Sequence, residues 1–218
     1  MFICLAVLSG ILCYFLNIMC RYDMETEKAC SRREYVFRMD KKRGIALIVC
    51  LILCIGLLWL FEQYHYGPLK AMRYLLLLAV LYPIAVRDGK EKVIPNRWLV
   101  YILAGRGVLF IAEFLCFPDL RIENIKFTLL GGAVSGAIFF LAYVLSRHAI
   151  GMGDVKLFAV IGTCLGVKTT YFVMVVSLIF SALYGGSMVL RKKKSVKDEI
   201  AFGPFIAAGT LAVMLIGA

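Results

Sequence analysis

The feature that most limits the fold of this chain is a succession of apolar runs separated by short charged breaks. Most of the runs are about as long as a bilayer is thick, roughly 20 residues. They extend over Met1 to Cys20, Gly44 to Phe61, Ala71 to Val86, Trp98 to Phe117, Phe127 to Ser146, Val155 to Val167, Thr170 to Leu190 and Ile200 to Ala218. In lipid a backbone amide has no water to bond, so such runs form helices. The expected fold is all-α, a polytopic transmembrane bundle of about eight spans, with residues 1–218 forming one membrane-embedded domain. Val155 to Val167 is the shortest run and is interrupted by Gly162 and Gly166.

Composition agrees with a membrane protein. Hydrophobic residues make up 62% of the chain, and the mean hydropathy is +0.86, far from an average soluble domain. The net charge of +11 does not point to nucleic acid, because the basic residues sit in short loops rather than on a recognisable binding module. The 8 cysteines form no CxxC pair and lie mostly inside apolar runs, so they read as small packing residues rather than zinc ligands. The opening MFICLAVLSGILCYFLNIMC lacks a basic leading region and no A-x-A-like site follows, so a retained first span is expected rather than a signal peptide.

Basic residues also predict orientation. One set of alternate loops holds Arg21 to Arg43, then Arg87, Lys90, Lys92 and Arg97, then Arg147 and Lys156, then Arg191 to Lys197. The other set holds only Lys70, Arg73, Arg121, Lys126 and Lys168. The positive-inside rule places the first set in the cytoplasm and the N-terminus outside. Gly132 with Gly136, and Gly162 with Gly166, have the four-residue spacing that lets helix backbones approach closely.

Against this background two carboxylates stand out. Asp88 ends the third run in VRDGKEKVIPNRW, and Asp154 opens the sixth in RHAIGMGDVKLFAVIG. Two runs separate them, so both return to one face of the membrane and can form a pair. Close carboxylates do not readily ionise together, so one stays protonated while the other is charged. The charged member takes a proton from water and the neutral one polarises a peptide carbonyl, without metal or covalent intermediate. The pair titrates as a unit, and acid and base are not assigned to individual members. Gly151 and Gly153 clear space beside Asp154 and permit unusual backbone angles. Pro95 stiffens the turn after Asp88 and disfavours helix at Ile94. Lys156 either tunes the pair or snorkels to the membrane surface. The structural alternatives are that Asp154 caps its helix and that Asp88 is one more charge of a solvated loop.

The paired signatures DGKEKVIPN (Asp88 to Asn96) and GMGDVK (Gly151 to Lys156) resemble those of the type IV prepilin peptidases, membrane aspartic proteases that remove the leaders of pilins and pseudopilins. FLNIMCR (Phe15 to Arg21) and AFGPFIAAG (Ala201 to Gly209) resemble further family stretches, in family order. The resemblance implies that Asp88 and Asp154 are catalytic, with Ile94, Pro95, Asn96, Gly151, Gly153, Lys156, Gly203 and Pro204 shaping the site or binding substrate. It implies pilin-like precursors and the lipid bilayer as partners, the bacterial inner membrane as location and a site facing the cytoplasm. Proteolysis would need no metal or other cofactor. Many members also methylate the new N-terminus with S-adenosylmethionine and carry a larger insert with paired CxxC motifs. Here residues 21–43 form a short loop with Cys30 alone, which leaves methyl transfer in doubt.

Three other readings remain at this point. Arg106 and Glu113, about two helical turns apart in the fourth run, are what a transporter pathway would use, although they are equally able to pair with each other. A non-enzymatic part of a secretion or pilus assembly system is a second rival. The GxGD signature also occurs in presenilin-like intramembrane proteases. None of these accounts for IPN and GxGDxK together.

Overall fold

A computed structural model describes residues 55–57, 59–146, 150–191 and 200–217. The expected first span and residues 44–54 of the second lie outside the described residues. Helical residues 59–63 lead into α1 (Pro68–Glu91), followed by α2 (Asn96–Cys116), a short 3-10 turn (Pro118–Leu120), α3 (Arg121–Leu145), α4 (Met152–Leu190) and α5 (Gly203–Ile216). Among the described residues there is no strand. Four segments, Pro68–Glu91, Asn96–Cys116, Pro118–Leu145 and Met152–Leu190, are long and apolar enough to cross a membrane. The chain is thus a polytopic helical bundle.

α2 shows how such a helix is sorted. Its buried residues are Trp98, Leu99, Ile102, Arg106, Leu109 and Glu113, a stripe at helical spacing. Val100, Leu103, Val108, Ile111 and Leu115 are exposed. The charged pair faces inward and the aliphatic side chains outward, the reverse of a water-soluble helix and the arrangement lipid requires.

The structure redraws four of the expected spans. α3 starts at Arg121, ahead of Phe127, because the preceding polar residues continue the helix beyond its apolar part. The last helix is only Gly203–Ile216, 14 residues, because Phe202 is the N-cap and Gly217 ends it in a left-handed conformation. The sixth and seventh runs are the two arms of α4, broken at Gly166 with φ 74 and ψ 175 and with no loop at Lys168. That conformation is essentially open only to glycine.

The break reverses the chain. Asp154, Leu178 and Ser181 line one cavity, whereas an unbroken helix would hold residues 154 and 178 about 36 Å apart. The first arm, residues 152–165, packs on α3 through its small residues. A side chain on Gly131 would collide with the Gly162 carbonyl, and one on Gly136 would come within 3.0 Å of the Ala159 Cβ. The glycine spacing in the two runs thus serves close helix packing. The second arm packs on α5, which also lies against α1.

Candidate active site

Asp88 sits in the last turns of α1. The helix ends just beyond it, where Lys92 takes a left-handed conformation and its N–H bonds to the Asp88 carbonyl oxygen at 2.8 Å. Val93 to Pro95 are non-helical, and Pro95 is the N-cap of α2 with ψ 130. The stiff turn expected from IPN is therefore present. Asp154 sits in the first turn of α4, three residues after the N-cap Gly151. The N-cap is Gly151 and makes no side-chain cap hydrogen bond, so Asp154 is not the capping residue considered from the sequence.

Both aspartates are buried, Asp88 at 5% and Asp154 at 9% relative exposure, and both line one cavity of about 400 Å³. Asp88 is therefore not a solvated loop charge.

The third signature reaches the same place from the far end of the chain. The Gly203 N–H donates to Asp88 Oδ2 at 2.7 Å. A Cβ on Gly203 would lie 2.9 Å from both the Cβ and Oδ2 of Asp88, so only glycine brings its amide this close. Pro204 packs near Gly89, whose Cβ would stand 3.6 Å from the Pro204 Cγ.

The glycines around Asp154 act through space rather than backbone angle. Gly151 has φ −70 and ψ 137, and neither it nor Gly153 has a positive φ; the unusual angles expected there are absent because an ordinary extended N-cap enters the helix. A Cβ on Gly151 would instead stand 3.3 Å from Asp154 Oδ2, and one on Gly153 would stand 3.1 Å from the Ile94 Cβ. Gly153 thereby lets the GMGD turn lie on the IPN turn. Lys156 Nζ donates to Asn96 Oδ1 at 3.3 Å, a second tie between the two signatures and an alternative to free snorkelling.

Of the other cavity walls, Phe202 belongs to a signature, AFGPFIAAG, and several carry no motif. Phe139, Leu178 and Ser181 come from helix interiors, and Ile150, Ile200 and Phe202 from helix approaches. Phe139 stacks on Phe158 with centroids 3.8 Å apart, and Phe202 lies 6.2 Å from each. In an apolar chain nothing marks Phe139 or Leu178 as different from its neighbours. Ser181 alone, a hydroxyl within a lipid-length run, offered a signal. The site can thus present two carboxylates on one cavity and a backbone donor beside an apolar wall, the equipment for activating water against a peptide carbonyl.

The rival built on Arg106 and Glu113 loses its basis here. Arg106 Nη1 donates to Glu113 Oε2 at 3.1 Å, its Nη2 to Thr128 Oγ1 at 2.7 Å and its Nε to the Thr163 carbonyl at 2.9 Å. These charges bind one another and neighbouring helices instead of facing a pathway.

Comparison with known proteins gives the same direction. The model of the type IV leader peptidase family matches residues 75–186, just over half of the 218-residue chain. The prepilin leader peptidase/N-methyltransferase of Bacillus subtilis (strain 168) is 34% identical over 141 residues, 64% of this chain and 54% of that protein. The leader peptidase HopD of Escherichia coli is 32% identical over 135 residues, 58% of this chain and 81% of that protein. The prepilin leader peptidase/N-methyltransferase of Pectobacterium carotovorum subsp. carotovorum is 29% identical over 171 residues, 75% of this chain and 56% of that protein. HopD apart, the chain spans about half the length of these curated relatives. No solved structure matches it. With its matched region running from α1 into the second arm of α4 and so including both aspartates, this chain belongs to the type IV leader peptidase family.

Proposed function

We propose that this protein is a membrane aspartic endopeptidase that cleaves the leader from type IV pilin-like precursors, with Asp88 and Asp154 as the catalytic pair. The observation that carries the reading is that aspartates from two separate signatures line one cavity, in a chain of the leader peptidase family. The ionised member of the pair takes a proton from a water molecule as that water attacks the scissile carbonyl. The protonated member donates to the carbonyl oxygen, and the pair returns a proton to the leaving amine. The Gly203 amide, 2.7 Å from Asp88 Oδ2, fixes one carboxylate so that little reorganisation is needed during the reaction.

The substrate's apolar helix lies in the bilayer and its leader reaches the cavity at the cytoplasmic boundary of the inner membrane, the side on which the basic loops fall. The N-terminus is then outside. Ile94 to Asn96, Gly151, Gly153, Lys156, Gly203 and Pro204 shape the entry. Proteolysis by a carboxylate pair needs no cofactor. S-adenosylmethionine enters only with the methyl transfer named for two of the relatives, which we do not assign to this chain.

The test is cleavage of a pilin-like precursor by purified protein carrying Asp88→Asn, Asp154→Asn or both. Asparagine keeps the shape but not the exchangeable proton. Each single change lowers the rate by several orders of magnitude, on the order of 10³-fold or more, and the double change is scarcely worse than either. Asp119→Asn, in the exposed turn after α2, leaves the rate near normal. Folded single variants that cleave at near-normal rate would overturn the assignment.

A further inference from the structure

The first arm of α4 carries Asp154 at its amino end and stops at Gly166, where its last carbonyls lose the amides that a continuing helix would bring. Such an end inside a bundle is normally closed by a glycine motif or water. Here a guanidinium closes it, since Arg106 Nε donates to the Thr163 carbonyl at 2.9 Å. Arg106 is 2% exposed and Glu113 4%, and buried charges in a membrane protein are unfavourable enough to point to a role.

The remaining partners of Arg106 come from its own helix and from α3. Glu113 from α2 accepts from it at 3.1 Å, and Thr128 from α3 at 2.7 Å. On its other oxygen Glu113 meets Arg73 of α1, with Arg73 Nε 3.2 Å from Glu113 Oε1. These two atoms are out of line for a hydrogen bond, so the contact is an ion pair. The Arg73 guanidinium also lies over the Phe127 ring at 5.0 Å, the ring that a side chain on Gly166 would strike. Two arginines and one glutamate leave net positive charge at the carboxyl end of the arm, the sign that a helix dipole favours.

α1 enters this cluster through Arg73 and carries Asp88 about 22 Å further along its axis, while the first arm of α4 enters it through Thr163 and carries Asp154 about 13 Å away. We propose that Arg73, Glu113 and Arg106 are positioning residues that hold these two helices in axial register and so set the separation of the two carboxylates. Helices are stiff along their axes, so a slip of the arm at Thr163 appears undiminished at Asp154. A misplacement of about 1 Å between reacting groups lowers a rate by about 10²-fold. This proposal rests on the peptidase reading only for its kinetic consequence; the register itself is a matter of geometry.

The test uses the full chain in lipid nanodiscs with its native cysteines replaced. Spin labels at Lys90 and Met152, both exposed and adjacent to the aspartates, report the distance between the ends of α1 and α4. Glu113→Gln removes the charge that joins the two arginines. The expected result, per folded molecule, is a kcat lowered tenfold or more with KM within twofold, and a broadened or displaced label distance. Arg106→Lys, whose compact ammonium cannot span the three partners that the guanidinium reaches through Nε, Nη1 and Nη2, gives an intermediate loss with the same split. If Glu113→Gln does not fold, Thr128→Val removes one hydrogen bond and leaves the ion pairs; the expectation is then a two- to fivefold fall in kcat with a broadened distance. A purely structural role would lower the yield or thermal stability while leaving kcat per folded molecule and the label distance unchanged, and that result overturns the proposal. If the unsubstituted protein cleaves no precursor, the peptidase reading fails, and the label distances alone still decide whether the cluster sets the register.

Discussion

Replacing Gly203 by alanine tests whether the amide beside Asp88 matters to the reaction. The added Cβ would stand 2.9 Å from the Asp88 Cβ and Oδ2, whereas ordinary contact begins at 3.4 Å. The carboxylate or the amino end of α5 must therefore yield by about half an ångström. That movement weakens the 2.7 Å bond from the Gly203 N–H to Asp88 Oδ2, an interaction with a charged acceptor that contributes about 1.5–3 kcal/mol. If the bond is held through the transition state, its loss lowers kcat by roughly 10- to 150-fold. Gly89 supplies the control, since it is next to Asp88 in sequence and its Cβ would meet only Pro204 Cγ, at 3.6 Å. Gly89→Ala should leave kcat within about twofold and add a few tenths of a kcal/mol of helix stability. Both variants are to be purified in lipid, checked for folding by thermal melting, and assayed for kcat and KM on a pilin-like precursor. Should folded Gly203→Ala keep more than half of the activity, the amide has no part in the reaction. Should Gly89→Ala lose as much as Gly203→Ala, the loss reflects disturbance of the α1 end rather than the bond.

Further outcomes follow from the same geometry. Gly131→Leu, which drives a side chain into the Gly162 carbonyl, should lower stability by roughly 1–3 kcal/mol in a thermal melt, whereas Gly107→Leu, with nothing within 4 Å, should not; equal melts would remove the close crossing of α3 on α4. Cleavage should continue in the presence of chelators and of serine and cysteine protease inhibitors, because the carboxylates activate water directly; activity abolished by chelation and restored by zinc would end the aspartic mechanism. Cysteines at Lys90 and Met152, in a background without the native ones, should resist an impermeant thiol reagent in intact cells while one at Asp119 reacts. Labelling of Lys90 but not Met152 would contradict the placing of both carboxylates on the cytoplasmic side.

What the sequence determined by itself was whatever depends on local chemistry. Apolar runs such as Trp98 to Phe117 had to become helices because lipid offers their amides no partner, and α2 occupies Asn96–Cys116. Asp88 and Asp154 stood out because a carboxylate among apolar residues is unfavourable wherever it lies. Pro95 constrains its own turn, and the structure has that turn. The convergence of the signatures was legible only as a possibility, from the even number of runs between the aspartates.

Tertiary structure decided the rest. Gly166 looked like one more packing glycine, but its φ of 74 makes it the point where α4 turns back and brings Leu178 and Ser181 to the cavity that holds Asp154. Arg106 and Glu113 were visible as charges within a span, yet their partners Thr128, Thr163 and Arg73 lie on other helices. Phe139 could not be told from the lipid-facing Phe140 beside it, although one is 4% and the other 49% exposed. In water the contrast between polar and apolar residues marks which side of a helix is buried. In a bilayer both sides are apolar, so the choice between lipid and protein is made by shape, small-residue contacts and the few polar groups that must find each other across helices.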